Sequence, residues 1–412
     1  MNAAALSPLS IEDTHSRFSQ SRLSIPTSGS VPDHGRSPEA ALLLGAAAGG
    51  GIAMPLIAGI DGARLLALAE RHRMLPLLHR HLRGSDLPEP FAAGLRARNA
   101  REVHRALRLA GELLRLMDAL SSAGIEALAY KGPALAMRAY GDLALRSFVD
   151  LDLLVRPDDV PRSLAVLADT GYDSALRLSP AQERWFRRVD GDYPLVHPGT
   201  DTLVELHARV SSLRFGMPVD TDALMRRSRT VAVGGGEVRT LGDDDLLLVL
   251  FAHGAKHRWK RLEWLAALAA LLRAGRGDVE AVLARAAELR ARRTALLGLH
   301  LAHTLLDAPL DGAVKREIAA DAEVASLAAE VEDRMFGAEG ETEGAETRGN
   351  LRFNLRLREG AAERARYVAR WVFGPGPEDW KWRPLPDALF PLYRLLRPVR
   401  LLARHGRAGA DG

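Results

Sequence analysis

The chain has 412 residues, a formal net charge of +4, 47% hydrophobic and 26% charged residues, and no cysteine. The length suggests two or three domains, and the balance is that of a soluble globular protein. The missing cysteine excludes a disulfide scaffold, a Cys-ligated zinc or iron–sulfur site and a cysteine nucleophile, and the small net charge excludes a polycation built for nucleic acid.

Only 5% of the residues are aromatic, and the abundance of Ala, Leu and Arg favours helix. Residues 1–38 are rich in Ser, Pro and Thr without an apolar period, and read as a disordered tail. Residues 40–60 carry no charge and are long enough to span a bilayer. However, Gly49, Gly50, Gly51 and Pro55 interrupt them, and the preceding stretch is too long and polar for a signal peptide. They read as a buried helix and loop, with no transmembrane segment and a cytoplasmic location expected. Residues 39–123 form a helical lead-in, with a long amphipathic stretch over 91–120 that Gly124 stops.

The texture changes over 124–240, where strands alternate with helices as in an α/β unit. Residues 125–130 read as a strand running into the Lys131-Gly132-Pro133 loop, and Pro133 suits the first turn of a helix. Residues 148–155 read as a second strand, followed by a helix to Thr170, and residues 195–197 and 203–207 as a hairpin pair around Pro198-Gly199. Helices are expected again over 241–336, opened by the acids Asp243–Asp245. Residues 337–350 hold four Glu and no large apolar side chain, which suggests an acidic linker or loop. Residues 351–412 hold 13 Arg and Lys against 6 Asp and Glu, so this C-terminal helical segment carries +7 and the rest of the chain −3.

Asp150-Leu151-Asp152 carries the sharpest chemical signal. Strand alternation sets Asp150 and Asp152 on one face. Two adjacent carboxylates repel unless a cation neutralises them, and hard oxygen donors suit Mg²⁺ with substrate phosphates. A solvated strand face fits the same spacing. The Lys131-Gly132 loop, between strand and helix, suits a phosphate, or is an ordinary turn. Arg146 is within reach of a phosphate or a carboxylate. Glu205, flanked by apolar residues, is the best third acid if two metals bind, and Asp190 and Asp192 are looser alternatives. Further on, His253, Lys256, His257, Lys260 and Trp264 fall on one stripe if the stretch is a single helix, which suggests an anion site or a solvated basic face. His253 and His257 lack the Glu of a zinc metalloprotease. His79, His81, His300 and His303 read as structural or exposed.

Taken together, Lys131-Gly132-Pro133-Ala134-Leu135, Tyr140, Arg146, Asp150-Leu151-Asp152-Leu153-Leu154-Val155 and Gly171-Tyr172 resemble the uncharacterised nucleotidyltransferase family of the polymerase-β-like superfamily. Glu205-Leu206-His207, the segment from His253 to Leu265, the Leu75-Pro76-Leu77-Leu78 lead-in and the closing Leu395-Leu396-Arg397-Pro398 are similar to it as well. The resemblance implies an α+β fold, with a small mixed sheet flanked by helices. It also implies two-metal transfer of a nucleoside monophosphate from an NTP, with Asp150, Asp152 and Glu205 as catalytic Mg²⁺ ligands. Lys131, Gly132, Arg146, His253, Lys256, His257 and Lys260 would then bind nucleotide or phosphate. Two departures are Lys131-Gly132 in place of the superfamily's Gly-Ser loop, and Ala267 where relatives often carry an Asp. The acceptor is unidentified: a small molecule, peptide or protein is favoured over nucleic acid, since no recognised RNA-binding module is present. The alternative is a non-catalytic nucleotide-binding or scaffold protein of a biosynthetic pathway. Residues 389–404 interleave Arg with Leu, Phe and Tyr, which suits peripheral membrane contact or, the favoured reading, a packed terminal helix.

Overall fold

A computed structural model describes residues 37–49, 59–337 and 343–408. The tail through residue 36, residues 50–58 of the uncharged stretch and residues 338–342 of the acidic stretch lie outside the described residues. The described chain opens with helices α1 (Pro38–Ala48), α2 (Gly62–Arg71), α3 (Leu75–His81) and α4 (Glu89–Ser122). Their starts follow local chemistry: Ser37 accepts from the Ala40 amide at 3.3 Å, and Asp61 caps the amides of Ala63 and Arg64.

The α+β expectation holds. A five-stranded mixed sheet is built from β1 (Ala127–Ala129), β2 (Asp150–Val155), β3 (Asp173–Ser174), β4 (Asp192–His197) and β5 (Thr202–His207), in the order β1-β2-β5-β4-β3. Only β2 and β5 run parallel. Between strands lie α5 (Gly132–Tyr140), α6 (Val160–Asp169) and α7 (Pro180–Val189); after β5 come α8 (Thr221–Arg226) and a hairpin of β6 (Arg229–Val233) and β7 (Gly236–Thr240). A helical region follows: α9 (Asp243–Lys256), α10 (Leu262–Arg273), α11 (Val279–Glu288), α12 (Arg292–Leu306), α13 (Gly312–Ala320) and α14 (Ala322–Phe336). From Glu343 the chain is helical again as α15 (Glu343–Arg356), then α16 (Ala361–Phe373), α17 (Pro377–Trp382) and α18 (Tyr393–Ala408). Among the described residues no helix is long and apolar enough to cross a membrane.

The two faces of the sheet differ. Leu151, Leu153, Val155, Val204 and Leu206 form one core with Leu109, Leu113 and Leu116 of α4 and Leu167 of α6. On the other face Leu128 and Leu154 join the large core of the helical region. The strand alternation read from the sequence therefore separates an apolar face from one that carries acids.

The stretch from His253 to Trp264 is not one helix. α9 stops at Lys256, Arg258 and Trp259 take positive φ of 53° and 50°, and α10 starts afresh at Leu262. Trp259 explains the break. Its ring is fully buried and lies so close to Gly254 that a Cβ there would come within 2.4 Å of it. The Trp259 amide donates back to the Gly254 carbonyl at 2.7 Å. Burying the indole beneath the last turn requires the chain to fold back, at the expense of the simple stripe.

The basic C-terminal segment turns part of its charge inward. Asp379 is 1% exposed, and accepts from Arg397 at 2.7 Å, Arg400 at 2.6 Å and the Gly376 amide at 2.8 Å. Leu395, Val399 and Leu402 of the same α18 point outward. Removing one member of a buried ion network leaves uncompensated charge, at about 3–5 kcal/mol. Asp379→Ala should therefore destabilise the protein by that amount in urea unfolding, with trypsin cutting first within residues 393–400. An unchanged midpoint and cleavage pattern would show that Asp379 does not hold the segment.

Candidate active site

Three neighbouring strands assemble the site. Asp152 of β2 stands in register with Glu205 of β5, and His207 of β5 with Asp192 of β4. Alternation then sets Asp150, Asp152, Glu205, His207 and Asp192 on one face of the sheet. His207 is the hub: Nε2 lies 3.1 Å from Asp152 Oδ1 and 3.3 Å from Glu205 Oε2, and Nδ1 lies 3.1 Å from Asp192 Oδ1. The edge of the Tyr130 ring packs on the imidazole at 5.5 Å. Lys131 Nζ, also beside the Tyr130 ring, donates to Asp152 Oδ1 at 2.6 Å.

The Lys131-Gly132 loop is shaped by close backbone approach. Gly132 has a φ of +50°, and a Cβ on it would stand 3.2 Å from the Asp150 carbonyl oxygen. Only glycine takes both conditions without strain. Arg146 braces the loop from beneath. It is 6% exposed, donates to the Gly132 carbonyl at 3.3 Å, and pairs through Nε with Glu263 of α10 at 2.5 Å.

Electrostatics follow from this crowding. Burial, with the charges of Asp152 and Glu205, pushes the Asp150 carboxyl up, and Arg73 and Lys131 offset part of it. Burial also opposes the Asp152 charge, but the Lys131 ammonium and His207 outweigh it and hold that carboxyl below its ordinary value. Asp192 is held down likewise, by His207 and Lys256 against burial. For His207, hydrogen bonds to Asp152, Asp192 and Glu205 overcome burial and raise it well above an ordinary imidazole; burial also opposes the Lys131 charge, but Asp152, Glu205 and Asp150 raise it. Among the described residues the Asp150 side chain makes no hydrogen bond or ion pair. The donor set fits a divalent cation: Asp152, Glu205 and His207 bring ligand atoms within 4.8 Å of one another.

The break at Trp259 brings three rings together over the site's rim. His253 lies 4.8 Å from His257 and 4.9 Å from Trp264, and His257 lies 5.5 Å from Trp264, between ring centroids. Burial, Lys131 and His257 push His253 well below an ordinary imidazole. Lys256 Nζ is 3.7 Å from Asp192 Oδ2, and Lys260 is exposed. His72 ties the turn after α2 to this rim, accepting the Leu262 amide at Nδ1 (3.2 Å) and the Glu263 amide at its carbonyl (3.3 Å). Arg261 stacks over Trp264 at 5.8 Å; burial and the neighbouring Arg73 lower it to about 10.

The structure thus brings Asp150, Asp152, Glu205 and Lys131 together, with Gly132 forming the loop. His253, Lys256 and His257 line the rim. Arg146 lies beneath the loop, engaged by Glu263, and Ala267 is fully buried in the apolar core. Asp190, the looser alternative acid, is held by Arg214 at 2.6 Å. His207, Asp192, Arg73 and Arg261 complete the surroundings. The first was visible in the sequence as a residue two steps beyond Glu205 on one strand. The two arginines carried no such signal, because helix turns distant in sequence bring them in.

A family model described as uncharacterised nucleotidyltransferase matches residues 58–307. The crystal structure of an antigenic nucleotidyltransferase-like protein from Paracoccidioides brasiliensis aligns at 17% identity and a TM-score of 0.30, over 52% of this chain and 97% of that one. No curated protein matches the chain.

His72 supplies a test of the tether. It is buried as a neutral acceptor, and burial with the Arg71 charge lowers it from 6.5 to about 4. The unfolded chain binds its proton first as pH falls, so this contribution is present above pH 6.5 and is lost on descending to about pH 4. The loss amounts to about 3 kcal/mol. His72→Asn keeps an acceptor and should flatten the fall in urea midpoint between pH 7 and pH 4 by that amount. An identical pH slope in the variant would rule this role out.

Proposed function

The chain belongs to the uncharacterised nucleotidyltransferase family, and from that premise we propose that it moves a nucleoside monophosphate from an NTP to an acceptor, using the cluster on β2 and β5. The observation that carries this reading is the register match of Asp152 with Glu205, beside Asp150 on the same face and next to the Lys131-Gly132 loop. Asp150, Asp152 and Glu205 would hold the divalent cations, two Mg²⁺ by the resemblance. When bound, such ions supply Lewis-acid charge at the reacting phosphate and at both the attacking and leaving oxygens.

The side chains divide the remaining tasks. Glu205 accepts the acceptor's proton. Lys131 sits 2.6 Å from Asp152 and carries a point charge that can turn to the leaving pyrophosphate. Gly132 keeps the loop backbone close to the phosphates. His253, His257 and Trp264 offer ring faces for the base or the acceptor, while Lys256 and Lys260 add charge at the rim. Arg146 acts as a brace for the loop through Glu263 and the Gly132 carbonyl.

Calorimetric titration of ATP, GTP, CTP and UTP, with and without Mg²⁺, tests the donor side. Wild type should bind one nucleotide in a Mg²⁺-dependent manner, and Asp150→Asn/Asp152→Asn should lose it. Asp152→Ala should lower transfer of label from an α-labelled NTP by about 100-fold or more, since several kcal/mol of charge stabilisation disappear. Retained transfer in a folded Asp152→Ala protein sinks the assignment. Binding without turnover under every acceptor offered would favour the non-catalytic reading.

A further inference from the structure

The proposed function rests on carboxylates alone, yet the cluster contains a nitrogen donor. Deepening that reading, we infer that His207 is itself a metal ligand through Nε2, and that the centre takes Mn²⁺ in preference to Mg²⁺.

The argument begins with spacing. His207 Nε2 stands 3.1 Å from Asp152 Oδ1 and 3.3 Å from Glu205 Oε2. Adjacent ligands of an octahedral ion with bonds of about 2.1 Å are about 3 Å apart. Nε2 therefore stands at ligand–ligand separation from both carboxylates, and the three atoms lie within 4.8 Å of one another. They come from two neighbouring strands held in register, so the spacing is fixed by the sheet.

Orientation points the same way. Asp192 Oδ1 lies 3.1 Å from Nδ1, on the side of the ring away from Asp152. A carboxylate on Nδ1 fixes the tautomer, and an ion at Nε2 would take the place of the proton that bonds Asp152 and Glu205 in the metal-free chain. Lys256, 3.7 Å from Asp192 Oδ2, steadies that carboxylate, and the Tyr130 ring edge fixes the imidazole plane. Asp192 is thus a positioning residue, acting through His207.

Ligand chemistry then sets the selectivity. Mg²⁺ takes oxygen donors and keeps its waters. Imidazole nitrogen favours first-row transition ions over Mg²⁺, and of these Mn²⁺ is the one that carboxylate oxygens also suit. A carboxylate-only centre already favours Mn²⁺, because Mg²⁺ dehydrates reluctantly, and insertion of His207 widens that preference.

The full-length chain is titrated with Mn²⁺ alone and Mg²⁺ alone, and the bound Mn²⁺ is examined by pulsed electron paramagnetic resonance for a histidine-nitrogen coupling. Wild type should bind Mn²⁺ about 10-fold or more tightly than Mg²⁺ and show the coupling, a readout that needs no variant. His207→Gln should lose the coupling and narrow the preference. Asp192→Asn should weaken Mn²⁺ by about 10–100-fold. Mn²⁺ bound without nitrogen coupling in wild type, but lost in Asp152→Asn, overturns the role of His207 while leaving the nucleotidyl-transfer reading intact. A coupling that survives His207→Gln overturns it too. If neither ion binds the folded wild type, even with a non-hydrolysable NTP, both readings fall.

Discussion

The crowding of carboxylates on one face of β2, β5 and β4 constrains everything around it. Asp150, Asp152, Glu205 and Asp192 converge where a low effective dielectric magnifies like-charge repulsion. The chain meets this with two cations of its own, Lys131 and His207, both bonded to the same Asp152 oxygen. Each has structural consequences. Lys131 reaches Asp152 only if the loop turns tightly against β2, which is what Gly132 at φ +50° permits. His207 reaches three acids only because its strand runs parallel to β2 in the observed register, with Asp192 opposite on β4.

The helical region answers the same constraint at a second level. An acid-bearing sheet face cannot pack directly on an apolar helix, because buried polar groups without partners are costly. The contacts across the interface are therefore divided. Leu128 and Leu154 supply apolar packing away from the cluster, and the Arg146–Glu263 pair carries the polar contact from the loop to α10. The reversal at Trp259 belongs to this arrangement. A continuous helix would carry residue 264 onward along the axis of α9. The break instead folds α10 back, so that Trp264 returns to His253 and His257. The buried indole that breaks the helix thereby builds the aromatic rim of the site.

Much of this was legible in the sequence, for identifiable reasons. Asp150 and Asp152 were readable because alternation on a strand is a local rule. Glu205 stood out as an acid among apolar neighbours. The loop was readable from Lys-Gly-Pro between a strand pattern and a helix pattern. The rest depended on contacts far apart in the chain. Arg146 pairs with Glu263, which lies on a different helix, and spacing from Asp150 carried no information about that partner. The stripe from His253 to Trp264 satisfied helical periodicity residue by residue, while the size of Trp259 and the bareness of Gly254 dictated a turn. Asp192, open in the sequence only as a looser alternative to Glu205, joins the cluster through strand pairing with His207, which a one-dimensional pattern does not contain.

The same distinction governs charge. Residues 351–412 carry +7 in the sequence, yet a formal sum is silent about where charges face. Arg397 and Arg400 of α18 are spent on the buried Asp379, Arg358 is sandwiched between Phe215 and Tyr367 at 4.9 and 5.0 Å, and Arg394 stacks on Trp185 at 5.1 Å. Meanwhile Leu395, Val399 and Leu402 lie 67%, 54% and 75% exposed. An amphipathic helix ordinarily hides its leucines and shows its arginines. Here Arg397 and Arg400 turn inward while Leu395, Val399 and Leu402 face out, because the buried Asp379 carboxylate needs cations in the interior. Arg397 and Arg400 thus act as internal counter-ions, so the formal +7 overstates the charge this segment shows at its surface.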